Sequence, residues 1–280
     1  MQKFHLLVFI ILGQFVFAQE HPYIYTSPAF QFEKGTIQKV LVDKTNLRDT
    51  PNLEGKIITT LYQGQVVKVI SETNKVLQLG KRGAQWYKVS FHLNGETKTG
   101  YIWGANLCIG YRHLDGYDFL FGASNTEKEV LKMEVKVLKD KKYLQSVFFD
   151  VSFEESLSFV FFKWLNTNKG LDGVENILSA MVSGEACGIP TYTQNMLWYK
   201  GRLKPFPLLM SVSDAGVFYH AEEFVFPNDK GGKEGQIILK IEESEVENSD
   251  EEDDEKWKYK TKKSEAIYHL DQNHNIIKIN

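Results

Sequence analysis

The stretch Asn46-Leu47-Arg48-Asp49-Thr50-Pro51 lies within a series of short β-type runs that decides the fold of the first part of the chain. These runs are rich in β-branched and aromatic residues, and turn-forming residues separate them. They cover residues 38–42, 57–61, 65–70, 86–91 and 99–103. Short strands at this spacing predict a small barrel that is closed or nearly closed.

Several side chains in this region suit such a barrel. The planar guanidinium of Arg48 can donate hydrogen bonds to the backbone carbonyls of neighbouring loops. Pro51 sets φ for a turn after this short arm, and Gly64 suits a turn position with positive φ. The large apolar faces that a small barrel needs for its core come from Trp86, Tyr101 and Trp103.

The same residues resemble the hallmark of the bacterial SH3 domain family. Asn46–Pro51 is similar to the family's Asn-hydrophobic-Arg-x-x-Pro motif, and later parts of the pattern follow in order. These later parts are Leu61, Gly64, Trp86–Val89 and Gly100–Trp103. Two features depart from the pattern: a long insert at Thr73–Gln85, and a Tyr-Ile pair between Gly100 and Trp103. The resemblance implies an SH3-like barrel over residues 37–109, but it identifies no ligand.

The rest of the chain, residues 110–280, is again rich in apolar runs. Met133-Glu134-Val135-Lys136-Val137 places three apolar side chains on one face of a strand and two charges on the other. Residues 157–164 and 177–182 are more continuously apolar, as in strands covered on both faces. No amphipathic helix longer than two turns is evident. We therefore predict an all-β protein: the barrel, then a larger antiparallel β domain that is a sandwich or an open repeated sheet.

The N-terminus has the features of a secretory signal peptide in the expected order. Lys3 precedes the apolar stretch Leu6–Phe17, and Val16-Phe17-Ala18 offers a cleavage site. The apolar stretch is too short to span a bilayer comfortably. We predict removal of residues 1–18, a lead-in segment over residues 19–36, and an exported protein, periplasmic or extracellular, with no stable membrane span.

The overall composition argues against two classes of partner. The formal net charge is -3, and 25% of the residues are charged, which is ordinary for a soluble protein. No overall basic field is present to recruit nucleic acid or anionic lipid. Aromatic residues make up 13% of the chain, and these residues favour half-buried strands.

The chain has two cysteines, Cys108 and Cys187, one near each side of the predicted boundary between the domains. An oxidising compartment permits a disulfide between them, whereas the default expectation is two buried, inert thiols. Two cysteines without a Cys-x-x-Cys motif do not predict a structural zinc site.

A charged segment follows late in the chain. Ten of the fourteen residues in 242–255 are acidic, and five of the eight residues in 256–263 are lysines. The segment predicts a solvated hairpin with oppositely charged flanks. A calcium site is the alternative, although the spacing of the acidic residues differs from that of an EF-hand loop.

The sequence contains no motif that clearly predicts catalysis. A cysteine-dependent envelope hydrolase would use Cys187, His220 and Asp214, but Cys187 follows a strand-like run and has no helix N-terminus to favour its thiolate. No His-Glu-x-x-His or His-x-His motif occurs. We therefore assign no catalytic residue, no metal ligand and no cofactor.

Binding is the remaining class, because exposed aromatic side chains can stack on sugars or grip extended peptides. We predict a non-enzymatic protein whose barrel attaches to cell-wall peptidoglycan or to another envelope protein or glycan. The alternatives are an envelope (cell-wall) hydrolase whose catalytic residues the sequence does not reveal, and a ligand-free structural periplasmic scaffold. The ligand-binding candidates are Tyr62, Lys81, Arg82, Trp86, Tyr87, Tyr101 and Trp103.

Overall fold

The barrel region is a curled six-stranded antiparallel sheet in the computed structural model of the chain. The structure describes residues 28–79, 82–127, 130–152, 157–214, 216–247 and 257–279. Short 3-10 helices at Pro28–Phe30 and Gly104–Asn106 flank the sheet. Its strands are β1 (Ile37–Lys39), β2 (Lys44–Arg48), β3 (Ile57–Tyr62), β4 (Val66–Leu79), β5 (Arg82–Leu93) and β6 (Glu96–Trp103), in the order β1-β4-β5-β6-β2-β3.

The motif Asn46–Pro51 forms the end of β2 and the start of the loop after it. Arg48 Nη1 donates a hydrogen bond to the carbonyl oxygen of Gly55 across this loop, at 2.7 Å. This contact confirms that Arg48 binds the backbone of a neighbouring loop. Gly64, in the turn between β3 and β4, has a φ of 75°, as its turn position requires.

The insert Thr73–Gln85 lengthens β4 and β5 into a long hairpin. Its two arms are tied to the end of β6, because the indole N–H of Trp103 lies 3.1 Å from the carbonyl oxygens of both Leu77 and Ala84. The described part of the insert is therefore held against the barrel.

Two further antiparallel sheets follow, and the described residues contain no α-helix, which confirms the all-β prediction. The four-stranded sheet, in the order β10-β9-β8-β7, has the strands β7 (Gly110–Leu114), β8 (Tyr117–Glu127), β9 (Val130–Lys139) and β10 (Lys142–Ser152). The nine-stranded sheet has the strands β11 (Phe159–Trp164), β12 (Asn176–Ser183), β13 (Thr191–Tyr199), β14 (Arg202–Pro205), β15 (Leu209–Asp214), β16 (Phe218–Val225), β17 (Ile237–Val246), β18 (Tyr259–Leu270) and β19 (Ile276–Lys278).

The four-stranded sheet packs face to face with β11–β13, so this part of the chain is a sandwich. Phe121 on β8 stacks with Phe162 on β11, with ring centroids 5.2 Å apart. On the opposite face of β12 and β13, Ile177 and Leu197 belong to a second apolar cluster with Phe224. These central strands are thus covered on both faces, which explains their continuously apolar sequence.

The barrel packs onto the outer face of the four-stranded sheet. Leu41 of the barrel contacts a buried cluster with Leu120 and Leu138. Lys39 pairs with Asp118 at 2.8 Å, and the buried Lys136 pairs with Asp43 at 3.0 Å. The charged face predicted for β9 is therefore covered by the barrel instead of lying open to solvent.

The charged segment forms the predicted hairpin over its described part. β17 and β18 pair so that Glu242 lies opposite Lys263, Glu243 opposite Lys262 and Glu245 opposite Lys260. Lys263 Nζ lies 2.8 Å from Glu242 Oε2, and hydrogen bonds from Lys263 and Tyr219 hold the pKa of Glu242 below its ordinary value. Residues 248–256 lie outside the described residues.

The predicted signal peptide, residues 1–18, also lies outside the described residues. Within the part of the chain that the structure describes, no helix has the length and apolar character needed to cross a membrane.

Candidate functional site

Three of the aromatic candidates are core residues. Trp86, Tyr87 and Trp103 are at most 4% exposed. Tyr87 packs edge to face on Phe32, at 5.2 Å between ring centroids, and its hydroxyl accepts a hydrogen bond from the Phe32 amide. Burial raises the pKa of Tyr87 above its ordinary value. These three residues stabilise the fold, as the sequence predicts for Trp86 and Trp103, and they present no surface to a ligand, in contrast to their naming as ligand-binding candidates.

The side chain of Arg82 is also held by contacts within the fold. Its Nη1 donates a hydrogen bond to the carbonyl oxygen of Ser124, at 2.9 Å, and its guanidinium lies over the Trp103 ring, at 5.1 Å from the centroid. This side chain therefore links the long hairpin to the four-stranded sheet, and it is not the freely presented donor that the sequence suggests. Lys81 lies outside the described residues.

The two remaining tyrosines differ in exposure. Tyr101 is partly buried and packs against the main core. Tyr62, at the end of β3, is 55% exposed, and its backbone amide donates to the side chain of Gln65 at 2.7 Å. Of the aromatic candidates, Tyr62 alone has most of its ring available to a ligand.

The turn after Tyr62 forms one wall of a groove of about 500 Å³. The groove runs over the outer surface of β1, β4 and β5, and the turn between β9 and β10 closes one side of it. Its lining residues are Ile37, Gly64, Gln65, Val66, Lys68, Ser90, Phe91, His92, Leu93, Asn94, Thr97 and Lys141.

The groove combines apolar surface with positive charge. Ile37 and Val66 are both more than 40% exposed, and Lys68 lies opposite Ile37 in the sheet. Within the described part of the chain, no aspartate or glutamate lines the groove. Among the described residues, neither Lys68 nor Lys141 has a carboxylate within ion-pair distance. The groove can thus hold an extended chain that has both apolar and anionic groups.

A second cleft, of about 660 Å³, lies on the nine-stranded sheet and brings Cys187 and His220 to one surface. Both ring nitrogens of His220 are already held: Nε2 lies 3.0 Å from Glu222 and Nδ1 lies 3.1 Å from Glu243. The lining of this cleft does not include Asp214. Within the described ranges, no three His, Cys, Asp or Glu side chains are arranged to hold a metal ion.

The two cysteines are both free thiols, so the disulfide considered from the sequence is not formed. Cys187 is exposed beside the second cleft. Cys108 is buried, and its Sγ donates a hydrogen bond to the carbonyl oxygen of Lys39 at 3.1 Å. Burial raises the pKa of the Cys108 thiol to about 12.

This difference in environment predicts unequal thiol reactivity. At pH 8 the folded protein will react with Ellman's reagent at Cys187 only, because Cys108 is buried and about one part in ten thousand of it is thiolate at that pH. After denaturation without reductant, both thiols will react. A Cys187→Ser variant should show no fast-reacting thiol, and absence of thiols in the denatured, unreduced protein would instead demonstrate a bridge.

Four main residues of the groove were not predicted from the sequence: Ile37, Val66, Lys68 and Lys141. Val66 and Lys68 alternate with the buried Val67 and Val69 along β4, so their outward direction could have been read from the sequence. The position of Lys141 could not be read from the sequence, because it depends on how the four-stranded sheet packs beside the barrel.

Comparison with known proteins identifies one part of the chain. Residues 43–107 match the family model of the bacterial SH3 domain, and the C-terminal part matches no family model. No curated protein and no solved structure matches the chain. The matched segment spans β2–β6 and contains the Arg48 loop contact together with Gly64 and Gly100. Domains of this family are generally cell-wall binding modules. Residues 43–107 of this chain therefore belong to the bacterial SH3 domain family.

Proposed function

We propose that this protein is an exported, non-enzymatic binding protein whose SH3 domain attaches to cell-wall peptidoglycan through the groove beside Tyr62. The observation that carries the proposal is an open groove of mixed apolar and basic character on a domain whose family generally binds cell-wall components. A shallow groove of this kind grips a chain along its length through several weak contacts. A single site should therefore bind with a dissociation constant of roughly micromolar or weaker.

The experiment is sedimentation of the whole mature chain, residues 19–280, with purified peptidoglycan. The isolated barrel is unsuitable, because Trp86 and Trp103 share their core with the four-stranded sheet. We expect wild-type protein to sediment with the polymer, and Val66→Glu to bind roughly tenfold more weakly, since a change of about 1.4 kcal/mol corresponds to that factor. The reason is that a new negative charge replaces apolar surface in the groove.

The matched control is Val76→Glu, because Val76 is also exposed, lies on the same strand and does not line the groove. This variant should bind as the wild type does. Equal recovery of wild-type protein with and without peptidoglycan contradicts the proposed function. If Val66→Glu and Val76→Glu bind equally well, the groove is not the surface that binds the polymer.

Export is the second part of the proposal, and it rests on the order of Lys3, the apolar stretch and Val16–Ala18. Protein purified from the native host should have an intact mass that corresponds to a chain beginning at Gln19. A mass that still includes residues 1–18 would contradict export through this signal.

A cysteine-dependent hydrolase is the alternative that one observation favours, because Cys187 and His220 line the same cleft. The carboxylates on both sides of His220 argue that its ring is not available to Cys187. A turnover assay on labelled peptidoglycan, with Cys187→Ala as the comparison, separates the two functions. Our proposal expects no release of label by either protein.

A further inference from the structure

Among the described residues, four hairpins turn through two-residue loops with positive φ at both positions, which is the geometry of a type I′ turn. The loops are Asn94–Gly95, Asp115–Gly116, Asp140–Lys141 and Lys200–Gly201. Three of them have glycine at the second position, as this turn favours. The loop between β9 and β10 instead has Lys141 there, with a φ of 65°.

A lysine at this position is a local conflict between sequence and backbone. Left-handed backbone is unfavourable for a residue with a Cβ atom, whereas glycine adopts it freely. Residues held in such conformations concentrate at functional sites, where the side chain has a use that outweighs the strain. Lys141 meets this description, because it lines the groove on the SH3 domain although it belongs to the four-stranded sheet.

The groove therefore receives positive charge from two parts of the fold. Lys68 comes from β4 of the barrel, and Lys141 comes from the β9–β10 turn. No acidic residue lines the groove, and neither ammonium group has an ion-pair partner within the described part of the chain. Two like charges facing one groove are best stabilised by an anionic group bound between them.

We propose that the groove binds its ligand through carboxylate groups held by Lys68 and Lys141, and that Lys141 is a specificity-determining residue supplied from outside the SH3 domain. This inference rests on the proposed function, in which the groove binds peptidoglycan, whose stem peptides carry carboxylates. Apolar contact comes from Ile37 and Val66, and charge complementarity selects an anionic chain over a neutral one. Binding weakens as salt concentration rises, because these lysines are exposed.

The test is the Lys141→Gly variant of the mature chain. Glycine relieves the strained turn, so the midpoint of thermal unfolding should stay the same or rise. Binding to peptidoglycan should nevertheless fall roughly fivefold, since an exposed charge contact contributes up to about 1 kcal/mol. Opposite effects on stability and binding distinguish a ligand-binding lysine from one that supports the fold.

Lys200→Gly is the matched control. Lys200 also has positive φ in a two-residue hairpin loop, and it does not line the groove. Its replacement should leave binding unchanged.

A second arm uses peptidoglycan whose carboxylates have been converted to neutral amides. Wild-type protein should bind this polymer at least as weakly as Lys141→Gly binds the native one, because amidation removes the partners of both lysines. If wild-type protein fails to bind native peptidoglycan, the proposed function itself is contradicted. If it binds, but neither Lys141→Gly nor amidation has an effect, the inference is overturned and the proposed function stands. If Lys141→Gly weakens binding but amidation does not, the lysines do not bind carboxylates of the ligand. The inference about carboxylates is then overturned, and the result indicates a phosphate as the anionic group.

Discussion

Trp103→Ala will lower the free energy of unfolding by about 3–5 kcal/mol, the range for removal of a large aromatic side chain from a core. Trp103 is 4% exposed and belongs to the core shared by the barrel and the sandwich. Its indole N–H contacts the carbonyl oxygens of Leu77 and Ala84, which lose this donor in the variant. Urea unfolding of the mature chain, followed by circular dichroism so that the signal does not depend on tryptophan, measures the change.

Tyr62→Ala is the control for this prediction. Tyr62 is an aromatic residue of the same domain, but it is 55% exposed, so its replacement should change stability by no more than about 0.5 kcal/mol. A loss below about 1 kcal/mol for Trp103→Ala would contradict the shared core. The comparison also tests the assignment of Trp103 to the core instead of to a ligand site.

Gly100→Ala will destabilise the protein by about 1–3 kcal/mol, the usual effect of overpacking a core. A Cβ atom at Gly100 would lie 2.7 Å from the carbonyl oxygen of Arg48 and 2.7 Å from Cγ of Leu47. The first of these neighbours is a backbone atom of β2, so the strands themselves would have to separate. Thermal unfolding of the mature variant measures the effect.

The neighbouring Thr99 provides the comparison for Gly100. Thr99 is exposed on the same strand, and Thr99→Ala should cost less than about 1 kcal/mol, the span of strand propensities. Similar losses in the two variants would show that the close approach of β2 to β6 is not what requires glycine at position 100.

The barrel and the sandwich share part of one hydrophobic core, so the SH3 domain is not packed independently of the rest of the chain. Trp86 and Trp103 link the two cores, and the Lys39–Asp118 pair joins their surfaces. Burial raises the pKa of Asp118, but hydrogen bonds from Lys39 and His113 outweigh it, so the pKa lies below its ordinary value. Asp118 thus stabilises the joint at neutral pH, and this contribution is lost as pH falls through its folded-state pKa.

The same union positions the groove. Cβ of an alanine at Gly64 would lie 2.8 Å from Leu138, which shows how closely the barrel turn approaches the four-stranded sheet. Because β9 ends one residue after Leu138, the Asp140–Lys141 turn follows directly beside the barrel. The groove is therefore lined by residues of two sheets.

The sequence by itself predicted the elements whose formation depends on local pattern. The runs at 57–61, 65–70 and 86–91 correspond to β3, β4 and β5, because alternation and β-branched residues report directly on strands. The opposite charges of β17 and β18 likewise identified their pairing. Strands β7 and β8 were missed, although the Asp115–Gly116 pair between them is a strong hairpin signal.

Burial on the second face of a strand, in contrast, was decided only by the tertiary structure. Glu134 and Lys136 alternate with core residues and would face water in an isolated sheet, yet both are buried because the barrel covers them. In the same way, the core that Trp86 and Trp103 share with the sandwich exists because the sandwich packs against them, and Lys141 lines the groove because its turn lies beside β4. Local pattern determines which side chains share a face, whereas the contact between two sheets determines what that face meets.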